Sequence, residues 1–476
     1  MSDRPNVLWI CTDQQRFDTI HCLGNAHINT PNLDRLADEG MAFTRAYSQS
    51  PVCTPSRAAF LTGRYPRTTR CRQNGQKMPA DEVLVTRLLA DEGYDCGLAG
   101  KLHLAPCEPK VCDYEERIDD GYRVFHWSHH PNPDWERNAY TEWLTERGQR
   151  WEDLYHPIQG HFQTWPGVPA EYHQTTWCAE KAAEFITQDR AGPWLFSLNC
   201  FDPHHPFDPP AEYMDRYDPD AVSLPIYMPG ELDNKPTFQQ IDHRGAYGGN
   251  GPTPQDMTDR ERGELVAAYY AMVELIDDQV GRLLDLLDET GQRENTIVIF
   301  HSDHGEMLGD HGILLKGPYF YEGAVRVPLI VSWPERFCGG TRSEALVELV
   351  DLAPTLLEAC GLPVPDRMQG RSLLDVCAGR ADPCYHRNSV YCEYYNAMPC
   401  HGQEATATMY FDGRYKLVVF HGTNQGEMYD LHSDPHEFHN LWGDAEYKDV
   451  QAELMKCCFD ASVFTTDPAP PRIGRW

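Results

Sequence analysis

Positive charge is scarce in this chain of 476 residues: 41 Lys and Arg stand against 72 Asp and Glu, a formal net charge of −31. An excess of that size repels nucleic acid and anionic membrane surfaces at long range, so neither is expected as a partner. An anionic substrate would need a locally positive site. The first residues, MSDRPNVLWICTD, show no basic start, no long apolar stretch and no small-residue cleavage site, and the expectation is a cytoplasmic protein. Seventeen cysteines are present, but the count is odd, the spacings are irregular and no CxxC pair occurs. That pattern reads as buried thiols acting as small hydrophobes and not as a disulfide framework. Internal repeats and low-complexity tracts are also missing.

What is there suits a large folded protein. A hydrophobic content of 41% over this length can bury a sizeable core and predicts two or more structural units. Short apolar runs alternate with helical patterns, the signature of an α/β protein with helices on both faces of a largely parallel sheet. Expected strands are Asn6–Cys11, Asp95–Ala99, Trp194–Cys200, Thr296–His301 and Val327–Trp333. Thr30-Pro31 reads as N-cap and first residue of a helix ending at Gly40, and a long amphipathic helix follows Asp259 and stops at Gly291. The pattern dissolves between Asp113 and Glu171 and between Leu224 and Thr258, as expected of insertions that carry substrate contacts. After Asp375 the texture becomes SVYCEYYN, then ATMYFDGRYKLVVF with Asp412-Gly413 as a hairpin turn. The division expected is a catalytic domain over 1–375 and a C-terminal domain over 376–476, with a small antiparallel sheet and an extended tail.

Ligands of open α/β sheets sit at the carboxyl ends of strands. There the chain places Asp13-Gln14, Lys101 and His103 in GKLHL, His204 and His205 in FDPHHPF, and Asp303-His304 in SDHGE. Two carboxylates and an imidazole on neighbouring strands suit a hard or borderline divalent cation, and Arg57, Lys101 and Lys316 make the surroundings positive. Each residue alone has an ordinary structural reading as a helix cap, a hydrogen-bonded histidine or half of a surface pair. Their joint recurrence at strand ends favours a site. In SPVCTPSRAAFLTGR, Pro55 suits a first helical turn and Thr54 can cap it, which puts Cys53 at the positive end of a helix dipole where an anion is favoured. The spacing to Arg57 is too short for the phosphate loop of a Cys-dependent phosphatase, and no Cys-Gly or Cys-Trp protease signature surrounds Cys53.

C-T-P-S-R followed by LTGR resembles the signature of the type I sulfatases of the alkaline phosphatase superfamily. The resemblance extends through NVLWICTDQQR, TPNLDRLADEG, AGKLHL, DPHHPF, SDHGEMLGDHG, KGPYFYEGAVRVPLIVSWP and GEMYDLHSDPHEFHNL. It implies an alkaline-phosphatase-like α/β fold and oxidation of Cys53 to formylglycine by a formylglycine-generating enzyme. One hydroxyl of the hydrated aldehyde then attacks sulfur, and the other loses a proton to expel sulfate. It further implies one divalent metal, Ca2+ or Mn2+, held by Asp13, Asp303, His304 and residue 53, with Gln14 a weak ligand or a substrate contact. Many relatives have aspartate where Gln14 stands and asparagine where His304 stands. Arg57 and Lys101 would stabilise the hydrate, His103 would take the second proton, and Lys316 and His204 would bind sulfate and protonate the leaving alcohol, with His205 as the fallback. The expected substrate is a small anionic sulfate ester. Phosphonate monoester hydrolases of the same superfamily share the Asp-Gln and Asp-His pairs but carry hydroxyl side chains where Lys101 and His103 stand. The aromatic and histidine-rich stretch from His126 to Trp165 is expected to shape the alcohol pocket, and the tail from Thr465 to Trp476 is expected to pack on a neighbouring subunit of a homo-oligomer.

Overall fold

Along the first strand, β1 (Asn6–Thr12), Val7, Trp9 and Cys11 face one buried layer while Leu8 and Ile10 face another. A strand alternates its side chains between two faces, so a run apolar on both must lie inside a sheet covered twice. The computed structural model, which describes residues 4–468 apart from 113, 136, 156–166 and 399–403, shows that arrangement. The other strands of the sheet are β2 (Met41–Phe43), β3 (Asp95–Gly100), β4 (Val124–Trp127), β5 (Trp194–Asn199), β6 (Thr296–Ser302), β7 (Leu329–Ser332) and β8 (Thr341–Ser343). Their order is β8-β2-β7-β6-β1-β5-β3-β4, parallel except where β7 runs against β2 and β6. The expected strand Val327–Trp333 is divided: Arg326–Val327 pairs in a separate three-stranded sheet, and the main-sheet strand resumes after Pro328, which has no N–H to donate to a ladder.

Helices fill both faces. On the Leu8 side lie α1 (Pro31–Asp38) with Leu33 and Leu36, and the 31-residue α3 (Asp259–Glu289) with Ile276, Val280 and Leu283. On the Trp9 side lies α2 (Cys53–Thr62), every residue of which is buried. The cap of α3 is a Thr258–Glu261 capping box, and the chain leaves it through Gly291 at φ +68°. Two expected caps are corrected. The Thr30 hydroxyl accepts from the His21 N–H and not from its own helix, whose Asn32 and Leu33 N–H groups bond Asp277 of α3. Thr54 lies inside α2, and its N–H donates to Asn74 Oδ1 (3.0 Å).

The stretch expected to be irregular supplies β4, at the edge of the main sheet, and the helix Ala139–Glu146. Residues 156–165 of the expected pocket-shaping insertion lie outside the described residues. A four-stranded antiparallel meander follows near the C-terminus: β9 (Val390–Tyr395), β10 (Thr406–Phe411), β11 (Tyr415–Phe420) and β12 (Gly426–Asp430), with Gly413 at φ +98° in the β10–β11 turn. Helix α4 (Lys448–Phe464) packs on it through Leu454 and Cys458. Of the tail, the Thr465 carbonyl accepts from Thr68 and Gln369 of its own chain, and residues 469–476 lie outside the described residues. Among the described residues every cysteine is free, and no helix is long and apolar enough to cross a membrane.

Candidate active site

Because β6, β1, β5 and β3 are adjacent and parallel, their carboxyl ends open on one edge, and the residues that follow them meet there. Arg57 of α2 ties three of these ends together. It donates from Nε to Asp303 Oδ2 (2.9 Å), from Nη2 to Asp13 Oδ2 (3.0 Å) and from Nη1 to the Lys101 carbonyl (2.9 Å). Lys101 reaches the site because Gly100 bends at φ +106°, where an added Cβ would lie 1.9 Å from the Asn199 carbonyl oxygen. Its Nζ then stands 2.6 Å from Asp13 Oδ2.

Cys53 is the first residue of α2, at the end where backbone N–H groups and the helix dipole favour negative charge. Its Sγ lies 3.1 Å from His304 Nε2, 3.2 Å from Lys316 Nζ and 3.7 Å from both Lys101 Nζ and Asp13 Oδ1. Burial and Asp13 push the thiol up, but Lys101, Lys316 and His304 outweigh them and hold it below its ordinary value. Burial likewise opposes ionisation of Asp13, which Lys101, His204, Arg57 and Lys316 nevertheless keep well below the usual carboxylate range.

One donor atom from each of Asp13, Cys53, Asp303 and His304 lies within 4.8 Å of the other three, and all four residues are buried. His304 Nδ1 donates to the Gly305 carbonyl (2.8 Å), which turns Nε2 toward the cluster, where a metal would take the place of its proton. The set therefore fits a divalent cation in donor type, charge and orientation. Gln14, expected as a weak metal ligand or a substrate contact, lies against Lys316 and Glu306. Its Oε1 accepts from Lys316 Nζ (2.6 Å) and its Nε2 donates to Glu306, so the amide is occupied in holding Lys316 in place. Its backbone, at φ +68°, donates its N–H to Asp303 Oδ1 (3.0 Å).

The DPHHPF loop puts His204, not His205, against the site: His204 Nε2 is 2.7 Å from Lys316 Nζ, while His205 stacks behind it at 4.1 Å between ring centroids. A carbonyl only accepts, so the bond of His204 Nδ1 to the His205 carbonyl (2.7 Å) puts the proton on Nδ1 and makes Nε2 an acceptor from Lys316. Burial, Lys316 and His205 push His204 well below its ordinary value. In the free site His204 Nε2 therefore accepts from Lys316 Nζ.

His103, at φ +59°, lies against His129 with ring centroids 4.4 Å apart. The resemblance expects a base here, and an unperturbed imidazole would titrate at about 6.5. Instead burial, then His129, Lys101 and Arg57, push His103 well down, so it is neutral at pH 7 but a weak base. Sequence reasoning missed Glu115, whose carboxylate accepts the N–H groups of His103, Leu104 and Ala105 and the Trp127 Nε1–H. It also missed Glu306, which bonds Gln14 and the Leu308 N–H, and Asn199, which bonds the Lys101 carbonyl. Glu306 stands within SDHGE and so had a signal, whereas Glu115 lies in the stretch without periodicity.

Comparison with known proteins finds relatives over most of the chain. Residues 5–362 match the family model described as Sulfatase, and residues 309–462 match one described as N-sulphoglucosamine sulphohydrolase, C-terminal. An arylsulfatase of Clostridium perfringens is 30% identical, covering 95% of this chain and 93% of its own length. A multifunctional alkaline phosphatase superfamily protein of Trinickia caryophylli is 31% identical over 93% and 92%. The crystal structure of a phosphonate monoester hydrolase of Agrobacterium radiobacter superposes with a TM-score of 0.85 at 26% identity, covering 98% and 96%. A family match that runs from the first strand past the signature helix, joined to a relative 30% identical along nearly its whole length, shows that this chain belongs to the sulfatase family.

Proposed function

We propose that this sulfatase hydrolyses a small sulfate monoester with residue 53 as nucleophile after conversion of Cys53 to formylglycine. The observation that carries the reading is the convergence of Lys101, Lys316, His304 and Asp13 on one Cys53 sulfur at a helix N-terminus. Asp13, Asp303, His304 and residue 53 would hold the metal, and the imidazole among these donors moves the preference from calcium toward manganese. Bound together, the ion and the modified residue supply a nucleophilic oxygen at neutral pH. Every other contribution comes from the chain. Arg57 keeps Asp13 and Asp303 aligned, and Lys101 neutralises charge on the residue 53 side. Lys316, oriented by Gln14, binds the sulfate and is the proton source for the leaving alcohol, while His204 Nε2 buffers that proton. His103, neutral and with a free ring nitrogen, accepts the proton whose loss releases sulfate.

Phosphonate monoester hydrolysis is the second reading. It is supported by the likeness to the Agrobacterium enzyme and by the pairing of Asp13 with Gln14 and of Asp303 with His304. Lys101 and His103 weigh against it. Comparing kcat/KM for matched aryl sulfates, sugar sulfates and phosphonate monoesters tests the two, and a clear preference for phosphonates would reverse the assignment. Mass spectrometry of the peptide spanning Cys53 from fully active enzyme should show the sulfur gone. An intact thiol there removes the proposed nucleophile.

A further inference from the structure

Beside the catalytic cluster lies a second group of donors with different chemistry. One donor atom from each of His103, Cys107 and His129 lies within 4.8 Å of the other two. His103 and Cys107 are each 7% exposed. Nδ1 of His103 and Nδ1 of His129 are both closed off from solvent and have no hydrogen-bond partner among the described residues. Two orphaned ring nitrogens on histidines clustered with a buried cysteine are unusual, because buried polar atoms are normally satisfied. We propose that His103, Cys107 and His129 form a separate site for a thiophilic divalent cation, zinc above all, and that its occupation withdraws His103 from catalysis.

The donor set decides the class of ion. One sulfur and two imidazoles, with the fourth position open, match the three-ligand sites of zinc and are poor donors for calcium or manganese. Bond lengths of about 2.0–2.3 Å in a tetrahedron put donors about 3.3–3.8 Å apart, so from separations of no more than 4.8 Å the cluster needs to close by about 1.5 Å at most. The backbone on both sides is held, so the closure falls to the side chains. Glu115 grips residues 103–105 from one side, and Trp135 Nε1 donates to the Cys107 carbonyl from the other (2.5 Å). Burial keeps both imidazoles neutral, with lone pairs available. Binding releases the Cys107 thiol proton to solvent as the sulfur–metal bond forms, so affinity rises with pH.

The inhibitory half rests on the role given to His103 above; the binding half does not. Full-length Cys53→Ser protein, with its first site filled by excess calcium or manganese, is titrated with Co2+. We expect one equivalent to bind with a sulfur-to-cobalt charge-transfer band that zinc displaces. Cys107→Ser in that background should abolish the band, and His129→Gln should weaken binding by at least the about 10- to 100-fold that loss of an outer partner costs a metal site. Absence of the band, or its survival in both variants, overturns the site. In the active enzyme, zinc should inhibit reversibly, and Cys107→Ser should keep turnover while losing that inhibition. Zinc bound at this site with turnover unchanged overturns the inhibitory half and, with it, the role of His103, but not the binding.

Discussion

At the scale of single residues, the division of proton work between His103 and Lys316 is the sharpest claim. His103→Ala should leave the first attack intact and slow sulfate release, so that an activated aryl sulfate gives a burst of alcohol followed by a slow phase in stopped-flow. Lys316→Ala should give no burst and lose most with poor leaving groups, which depend on protonation. The acid side of the pH profile adds a check. A base acts in its neutral form, and His103 is pushed well below 6.5 by burial and its neighbours, so the release step should hold its rate below pH 6.5. An acid limb centred near 6.5 and removed by His103→Ala would contradict the burial of this ring.

At the scale of elements, the cap of α1 shows how the layer on the Leu8 face is fixed. Asp277 of α3 accepts from the Leu33 N–H (2.7 Å), the Asn32 N–H (3.2 Å) and Asn32 Nδ2 (2.8 Å). A carboxylate from one helix thus satisfies the orphan N–H groups at the start of another. Burial nevertheless raises Asp277 to about 7, because the charge is costly to bury even with these donors. Asp277→Ala should lower stability by about 1–3 kcal/mol in denaturant titration, the cost of leaving buried donors unpaired, while Asp277→Asn should cost less. This cap was invisible in the sequence. Thr30-Pro31 is a sound local start signal, but a residue far along the chain took the capping role.

At the scale of the whole molecule, the antiparallel meander supports the site from behind. Lys416 of β11 is fully buried, with Nζ 2.8 Å from Glu322, 2.7 Å from Glu437 and 3.0 Å from the Phe320 carbonyl. These contacts fix the segment that follows Lys316. Breaking such a buried pair from one side costs about 3–5 kcal/mol, so Lys416→Ala should lower the melting temperature and activity together. Acid should also unfold the protein early. Burial holds His130 down at about 3 and His301 at about 4, so below pH 6.5 the unfolded chain takes up protons that the folded chain refuses. Stability then falls with pH by about 1.4 kcal/mol per unit for each such ring, down to its folded value, which calorimetry across pH 7 to 4 can measure.

The sequence by itself determined five of the eight strands of the main sheet, their carboxyl ends and most of the polar residues gathered there. Periodicity reports burial directly, and strand ends are where an α/β sheet binds. Asp13, Lys101, Asp303 and His304 follow strands and Cys53 begins a helix, each with a local signal, while the roles of Arg57 and Lys316 came with the resemblance to the sulfatases. Only the tertiary structure decided which partner each one has. Gln14 became the holder of Lys316, His204 and not His205 met that lysine, and His103 lost its ordinary basicity to burial beside His129. Hydrogen-bond partners, protonation and pKa depend on distances between residues remote in the chain and on exclusion of water, and neither quantity has a local signature in sequence.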